Sequence, residues 1–241
     1  MKVLIAGGSG LLGRALTEVL LASGHEVSIL SRNPEDLNWH VFGSQVLQWD
    51  PRNSKTLGPL VEGQDAVINL AGSNLAGDNL LQMRWTQARK LAIRESRQLS
   101  GQALTQAIEK ATKKPKVFLQ ASAIGYYGPH GDEKLDESKA AGDDFLAQVV
   151  VEWENSSQPV EAQSVRRIIL RTGLVLGRGA KILNLLMLPF HFLAGGRIGS
   201  GKQYMSWIHM QDWIRAVQFL LEHQAAKGIF NLTAPQPVSN R

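Results

Sequence analysis

A glycine-rich segment near the amino terminus combines residue types and spacing that suit the binding of phosphate groups. It comes directly after a short apolar run and opens a helical pattern. In such a segment the first glycine permits a tight turn, the next lets backbone amides approach a pyrophosphate, and the last lets helix and strand pack closely. The amino terminus of the helix adds positive partial charge. The sequence therefore predicts a dinucleotide phosphate site at Gly7, Gly10, Leu11, Leu12 and Gly13.

The residues at the end of the second apolar run indicate which dinucleotide would fit. An acidic residue at that point binds a ribose 2′-hydroxyl, whereas an arginine accommodates a 2′-phosphate. The chain carries Ser31 and Arg32 there, with no Asp or Glu. The alternative is that Arg32 is only a solvated loop cation. That role would not explain why the strand end lacks an acidic residue. We therefore expect NADP or NADPH as the cofactor rather than NAD.

Metal and hydrolase chemistry have weaker support. His209 and Asp212 are three residues apart, a spacing that could place both on one turn of a helix. Two ligands without a third do not define a metal site, so a structural role is favoured and no metal is predicted. Ser122, His209 and Asp212 occur in the order Ser-His-Asp, but no G-x-S-x-G turn surrounds the serine. Cysteine is absent, which excludes thiol nucleophiles and cysteine-ligated metals.

Short apolar runs alternate along the chain with stripes of apolar residues at helical spacing. This alternation is typical of βα units that build a parallel sheet. We expect an α/β fold, a doubly wound parallel sheet of the Rossmann type, in residues 1–172, with a small substrate or lid lobe packed on it in residues 173–241. The predicted strands lie at 3–6, 27–30, 66–70, 117–119 and 168–170, and the predicted helices begin near residues 11, 85, 143 and 212.

The overall composition excludes several classes of protein. The chain has 241 residues, is 44% hydrophobic and 20% charged, and lies outside the range of disordered, collagen-like or coiled-coil chains. The net charge is +5, but only Trp85 is interleaved with the main basic stretch, so no nucleic-acid partner is expected. No signal peptide is visible, and the apolar run at 182–194, broken by Pro189 and His191, is too short to cross a bilayer. We expect a cytoplasmic protein without a membrane partner, in which this run is a buried or lid helix.

Five short stretches cover nearly the whole chain in a characteristic order. They are GGSGLLG at 7–13, INLAG at 68–72 with RWTQARK at 84–90, SAIGYYG at 122–128, RTGLVLGRG at 171–179 and MSWIHMQD at 205–212. Together they resemble the extended and atypical short-chain dehydrogenase/reductase superfamily, and more narrowly its nucleoside-diphosphate-sugar-epimerase-like family of NADP-binding proteins. Similar proteins continue past the position of Arg241, so the resemblance implies that the small C-terminal lobe is incomplete here.

The resemblance also implies further cofactor contacts. Leu70, Ala71 and Gly72 match the turn after the fourth strand of the superfamily. In similar proteins this turn lies along the adenosine half of the cofactor. Asp50, at the end of the third strand, matches a position that often meets the adenine, and Arg97 and Val175 match two further contacting positions. Each of the last three has an alternative role: a turn residue for Asp50, a surface cation for Arg97 and a core residue for Val175.

Reductases and epimerases of this superfamily exchange a proton with the substrate through a tyrosine. A lysine four residues later lowers the pKa of that tyrosine, and the spacing places both side chains on one helix face. This chain has three tyrosines. The residues four positions later are His130 after Tyr126, Gly131 after Tyr127 and Ile208 after Tyr204. The tyrosine–lysine pair is therefore absent from the sequence.

The residues near the expected reaction centre leave the catalytic role open. The resemblance places the tyrosine–lysine pair on the helix that begins near residue 143. This helix has Phe145 and Val149 at those positions, and neither side chain can transfer a proton. Ser122 matches the substrate-orienting serine of the superfamily, and Tyr126 and Tyr127 follow in a glycine-flanked loop close to where a nicotinamide would lie. All three are candidate catalytic residues. Without a nearby lysine, a role for either tyrosine in the pocket wall or in loop packing is favoured over proton donation.

Two functions remain open from the sequence. One is an NADP-dependent oxidoreductase or epimerase that acts on a small polar or sugar-nucleotide-like molecule between the two lobes. The other is a catalytically silent NADP-binding protein that regulates or senses. The resemblance also implies a homodimer through the helices after strands four and five, one basic from Trp85 onward and one acidic near Asp143. Their opposite charges would suit contact within one subunit equally well.

Overall fold

The computed structural model describes residues 1–36, 43–53, 57–75, 84–192, 195–197 and 199–239, so Arg241 lies outside it. Its strands are β1 Lys2–Ala6, β2 Glu26–Ser31, β3 Gln45–Gln48, β4 Ala66–Asn69, β5 Val117–Ala123, β6 Arg166–Thr172, β7 Leu174–Leu176, β8 Tyr204–Met205, β9 Trp207–His209, β10 Gly228–Leu232 and β11 Val238–Ser239. Its helices are α1 Leu11–Ala22, α2 Gly58–Val61, α3 Gln87–Lys110, α4 Phe145–Asn155, α5 Lys181–His191 and α6 Met210–Glu222. Short 3₁₀-helical segments lie at Pro34–Asp36, Ile124–Tyr127 and Gln158–Gln163.

Seven strands of the described chain form one parallel sheet in the order β10-β6-β5-β4-β1-β2-β3. The chain winds from β1 outward to β2 and β3, and then from β4 outward to β5, β6 and β10 on the other side. The winding direction therefore reverses between β1 and β4, which pair directly with Val3 opposite Ala66. In such sheets ligands bind at the carboxyl ends of the strands beside this reversal. The predicted doubly wound parallel sheet of the Rossmann type is confirmed.

Both faces of the sheet are covered by apolar layers. One layer includes buried residues of α1 and α6, among them Leu16 and Trp213. The opposite layer includes buried residues of α3, among them Leu104 and Ile108. Strands that are buried on both faces consist of nearly continuous apolar residues. This explains why the five predicted strands are all confirmed.

The segment after residue 172 contributes to the same sheet. β10 pairs with β6, with Gly228 opposite Ile168, and α6 packs beside α1 in one apolar layer. Outside the main sheet, β7 pairs with β9 in parallel and β8 pairs with β11 in antiparallel fashion. A separate lobe in residues 173–241 stays a prediction.

α5 covers most of the apolar run that was expected to form a buried or lid helix. Its carboxyl-terminal half exposes Met187, Leu188 and Phe190, and Phe192 directly after it is 75% exposed. This half of the helix is therefore not buried, while residues 193–194 lie outside the described residues. None of the helices in the described ranges is long and apolar enough to cross a membrane.

α3 and α4 pack side by side, and a glycine permits their close approach. Arg94 Nε lies 2.9 Å from Glu152 Oε2, so opposite charges of the two helices meet within one subunit. Further along, a Cβ atom on Gly101 would overlap the Ser156 hydroxyl oxygen and lie 2.8 Å from the Ser156 Cβ. Position 101 therefore has no room for a Cβ atom unless Ser156 moves away.

We predict that Gly101→Ala destabilises the protein. The added methyl group forces the two helices apart at a cost of about 2 kcal/mol, which corresponds to a decrease in Tm of roughly 4–8 °C for a chain of this size. Gly131→Ala is the control, because a Cβ atom there would meet nothing within 4 Å. Thermal unfolding followed by circular dichroism measures both variants. An unchanged Tm for Gly101→Ala would contradict the tight packing of α3 on α4.

Candidate functional site

The loop between β1 and α1 depends on glycines that leave no room for a side chain. Gly7 has a φ of +80°, and a Cβ atom on it would lie 2.7 Å from the Leu70 backbone. A Cβ atom on Gly13 would lie 2.5 Å from the Gly8 Cα atom. The loop closes through a hydrogen bond from the Gly10 amide to the Gly7 carbonyl oxygen at 3.0 Å. The tight turn and the close helix–strand packing therefore both require glycine.

The amino terminus of α1 is open for an anion. Gly10 is the N-cap residue and supplies no side-chain acceptor to the first amides of the helix. Those amides have no partner within the helix, and the helix dipole places positive partial charge there. A Cβ atom on Gly10 would meet only the Gly7 carbonyl oxygen within 4 Å. Leu11 is exposed, whereas Leu12 packs on the apolar layer. This geometry fits a phosphate group held by backbone amides.

The carboxyl ends of β2 and β3 carry the basic residues Arg32 and Arg52. Ser31 is buried at the end of β2, and Arg32 next to it is exposed. No carboxylate among the described residues forms an ion pair with Arg32, whereas Arg52 at the neighbouring strand end lies 3.7 Å from Glu95. The Asp50 carboxylate accepts a hydrogen bond from the Arg52 backbone amide at 3.0 Å, so Asp50 does form a turn. Among the described residues, therefore, no carboxylate neutralises Arg32, which lies at the strand end next to the phosphate loop.

The turn after β4 is fixed by a buried amide network. The Leu70 amide donates to the last carbonyl oxygen of β1 at 2.8 Å, and the Ala71 amide donates to Asn69 Oδ1 at 3.2 Å. The Asn69 side-chain nitrogen donates to Gln120 Oε1 on β5 at 3.0 Å. These bonds hold the turn against the phosphate loop, with Leu70 and Ala71 half-buried and Gly72 exposed.

Arg97 supports this turn from α3. It is 9% exposed, and its Nη1 donates to two carbonyl oxygens, including that of Ser73 at 3.2 Å. Its guanidinium lies 4.9 Å from the Trp153 ring centre, and a Cβ atom on Gly72 would lie 3.3 Å from its side chain. Burial, and to a lesser extent the cation of Arg89, lower the pKa of Arg97 to about 10. The alternative of a surface cation is wrong, because Arg97 is a buried charge directly beneath the turn.

The residues after β6 have structural partners. Val175, in β7, is half-buried against the apolar layer. His209 caps α6, since its Nδ1 accepts a hydrogen bond from the Gln211 amide at 3.3 Å, and Asp212 lies 3.7 Å from Arg215. Within the ranges that the structure describes, no group of three His, Asp or Glu side chains could hold a metal ion.

The carboxyl ends of β5 and β6 carry a buried ion pair. Arg171 donates from Nε to Glu154 Oε1 at 2.9 Å and from Nη2 to Oε2 at 3.0 Å. The Ser122 hydroxyl, opposite Arg171 in register, donates to the same Oε1 at 2.5 Å. Burial alone would lower the pKa of Arg171, but hydrogen bonds to Glu154 and to Tyr127 outweigh it and hold that pKa above its ordinary value. Arg171 therefore stays charged although its side chain is only 1% exposed.

The same arginine holds both neighbouring tyrosines. The Tyr127 hydroxyl donates to Asn231 Oδ1 on β10 at 2.7 Å and accepts from Arg171 Nη1 at 3.1 Å. The guanidinium of Arg171 lies 3.3 Å from the ring centre of Tyr126, and the two tyrosine rings meet edge to face at 5.3 Å. Tyr127 is buried, whereas Tyr126 is half-buried. Two of the three predicted hydroxyls, those of Ser122 and Tyr127, thus serve a structural network.

Phe145, which the resemblance places at the position of the superfamily's tyrosine, is the first residue of α4. Trp85 meets its ring edge to face at 5.9 Å, and Lys90 Nζ lies 5.1 Å from its centre. Val149, one turn later, is buried. Neither residue can transfer a proton, so α4 supplies packing at these two positions and no acid or base.

Comparison with known proteins agrees with this geometry. The model of the NAD dependent epimerase/dehydratase family matches residues 3–233. Epimerase family protein ML0860 of Mycobacterium leprae is 39% identical over 239 residues, which is 99% of this chain and 73% of that protein. The crystal structure of human epimerase family protein SDR39U1 (isoform 2) with NADPH has a TM-score of 0.85 at 34% identity, covering 100% of this chain and 76% of that one. The chain belongs to the NAD dependent epimerase/dehydratase family.

A second solved structure agrees. The nucleoside-diphosphate sugar epimerase of Corynebacterium glutamicum has a TM-score of 0.80 at 35% identity, and this chain covers 48% of it. The predicted resemblance to an epimerase-like family is therefore confirmed.

Sequence reasoning missed three residues of the network: Glu154, Arg171 and Asn231. Arg171 offers a local signal, because it is a charged residue that directly follows the apolar run Ile168–Leu170 in a strand expected to be buried. A charge in such a place requires a partner. Glu154 and Asn231 carry no comparable signal, since their pairing depends on how α4 and β10 pack against β6.

We predict that Arg171→Met destabilises the protein strongly. The substitution leaves the Glu154 carboxylate buried without its cation, which costs about 3–5 kcal/mol. The double variant Arg171→Met/Glu154→Leu should recover most of that loss, since it removes both charges. Arg215→Met is the matched control, because its ion pair with Asp212 is exposed and contributes less than about 1 kcal/mol. Urea unfolding gives the four free energies, and a loss below about 1 kcal/mol for Arg171→Met would contradict the buried pair.

Proposed function

We propose that this chain binds NADP or NADPH along the carboxyl ends of β1, β2 and β4. The observation that carries the proposal is the combination of an open glycine-capped helix terminus with an exposed Arg32 at the next strand end, which has no carboxylate partner in the part of the chain that the structure describes. Backbone amides at Gly10 and Leu11 suit the pyrophosphate. Arg32, with the Ser31 hydroxyl, suits the ribose 2′-phosphate. The relative solved with NADPH supports the same assignment.

The adenosine half of the cofactor would lie along the Leu70–Gly72 turn, with Asp50 near the adenine. Arg97 acts through this turn: its bond to the Ser73 carbonyl oxygen fixes the turn from beneath. Its buried positive charge has no carboxylate partner among the described residues and favours a polyanion nearby. Val175 would contact the nicotinamide half from β7. These residues bind and orient the cofactor, while the glycines exclude side chains from its path.

We further propose a reductase or epimerase reaction on a small polar or sugar-nucleotide-like substrate. When bound, a nicotinamide ring supplies hydride transfer to or from carbon. The chain contributes the rigid end of β5, where the Ser122–Glu154–Arg171 network joins β5 to β6 and α4. Family membership supports this class of reaction.

A specific observation favours a second function, an NADP-binding protein without turnover. α4 carries Phe145 and Val149 at the positions of the missing acid and lysine, and the Ser122 and Tyr127 hydroxyls are occupied by structural bonds. The two functions separate on one assay: NADPH is incubated with the protein and a cell metabolite extract. Loss of nicotinamide absorbance supports a reductase. An epimerase returns the hydride and causes no net loss, so a parallel reaction with NADP⁺ is examined by NMR for a metabolite whose configuration changes. A stable complex with neither change supports the silent binder.

The surroundings of the protein are also a matter of proposal. We propose that the protein is located in the cytoplasm. We also propose that it forms a homodimer through α3 and α4, which is the arrangement that the resemblance implies. The Arg94–Glu152 ion pair within one subunit leaves fewer charges of α3 and α4 available for such an interface.

We predict that Arg32→Ala weakens NADPH binding and leaves NADH binding unchanged. Arg32 would contact only the 2′-phosphate, and the loss of one charge-assisted contact lowers affinity by about 10- to 100-fold. Calorimetric titration with each nucleotide measures both affinities. Lys116→Ala is the matched control, since it removes one charge from an 87% exposed side chain just before the amino end of β5. Equal weakening of NADPH and NADH by Arg32→Ala would contradict the role given to the 2′-phosphate.

A further inference from the structure

Three hydroxyl groups lie at or just beyond the carboxyl end of β5, those of Ser122, Tyr126 and Tyr127. They differ in their hydrogen-bond partners. Ser122 is 4% exposed and gives its proton to Glu154. Tyr127 is equally buried, donates to Asn231 and accepts from Arg171. Both hydroxyls therefore already have partners inside the protein, and a ligand would have to break those bonds to use them.

Tyr126 differs from both. It is half-buried, and no residue in the described ranges forms a hydrogen bond with its hydroxyl group. Its ring nevertheless has a defined position, because the Arg171 guanidinium lies 3.3 Å from the ring centre on one face and Tyr127 meets it edge to face. Its backbone is fixed as well, since the Gly142 amide donates to the Tyr126 carbonyl oxygen at 2.9 Å. A phenol held on a rigid support with a free hydroxyl is suited to bind an external partner.

The position of Tyr126 in the fold connects it to the cofactor cleft. The 3₁₀ segment Ile124–Tyr127 begins where β5 ends, at the same edge of the sheet as the phosphate loop. β5 is separated from β1 only by β4, so the segment stands two strands from that loop. If the adenosine half of a dinucleotide lies over β1, β2 and the turn after β4, its nicotinamide half extends toward β5.

We propose that Tyr126 forms the wall of the cleft at its nicotinamide end and presents its hydroxyl to an oxygen of the substrate. This inference rests on the proposed cofactor site. A phenol both donates and accepts hydrogen bonds, so it suits a substrate with a carbonyl or hydroxyl group at the reacting carbon. Tyr127 holds the support of Tyr126 and does not contact the ligand.

Nitration with tetranitromethane tests this assignment without knowledge of the substrate, because the reagent modifies accessible tyrosine rings. The chain has three tyrosines, of which Tyr204 is 50% exposed and serves as the internal reference. Mass spectrometry of peptides follows each site with and without NADP⁺, whose binding is measured separately by calorimetry. We expect Tyr126 and Tyr204 to be nitrated and Tyr127 to resist. Saturating NADP⁺ should slow nitration of Tyr126 at least about 10-fold and leave Tyr204 unchanged.

Two variants show which nitration signal comes from which tyrosine, and they distinguish a loss of ligand contact from a loss of stability. Tyr126→Phe keeps the ring on Arg171, so its Tm and its NADP⁺ affinity should equal those of the wild type while the protected signal disappears. Tyr127→Phe loses two buried hydrogen bonds and should lower the Tm while Tyr126 is still protected.

The possible results separate this inference from the cofactor site. Bound NADP⁺ without protection of Tyr126, or a Tyr126 as resistant as Tyr127 in the free protein, overturns the assignment and leaves the cofactor site intact. Failure of NADP⁺ to bind overturns the cofactor site and this inference with it.

Discussion

The backbone contact between the loop after β1 and the turn after β4 is the constraint on which the rest of the site depends. A Cβ atom on Gly7 would lie 2.7 Å from the Leu70 backbone, so the two segments touch with no side chain between them. The turn cannot move away from the loop, because the Leu70 amide is hydrogen-bonded to β1 and Arg97 on α3 is hydrogen-bonded to the Ser73 carbonyl oxygen of the turn. The open amides of α1 therefore lie beside a fixed turn at the reversal of the sheet, with the exposed Arg32 at the neighbouring strand end.

A second fixed region lies at the ends of β5, β6 and β10. Here the Glu154–Arg171 pair joins one helix to three strands through Ser122, Tyr127 and Asn231. Burying two charges is costly, and the geometry compensates with a two-point contact and with further hydrogen bonds. The result is a rigid region at the carboxyl ends of β5 and β6. That arrangement is compatible with an enzyme that uses a different hydroxyl and with a binder that performs no chemistry.

Much of the fold could be predicted from the sequence because its signals are local. The apolar runs from Val3, Val27, Ala66, Val117 and Ile168 are long enough to mark strands buried on both faces. The glycines at 7 and 13 follow the first run at the spacing that a close loop requires. β3 is different: it carries a glutamine at each end and lies at the sheet edge, so apolar content does not mark it.

Only the proposed cofactor half of the candidate site has a local signal in the sequence. Phosphate binding by backbone amides needs glycines and a helix start, which the sequence displays directly. The burial and hydrogen bonding of a polar side chain depend instead on partners that are distant in the sequence. Arg97 resembles any helix-surface cation until α3 is packed beneath the turn, and Tyr126 and Tyr127 are indistinguishable until Arg171 and Asn231 approach them.

The most direct test of the account is a crystal structure of this chain with NADP⁺. The account predicts the pyrophosphate over the amides at Gly10 and Leu11, and the 2′-phosphate against Arg32. The nicotinamide half should then point toward the end of β5. A nucleotide bound elsewhere, or one bound here with its 2′-phosphate in solvent and away from Arg32, would contradict the central claim.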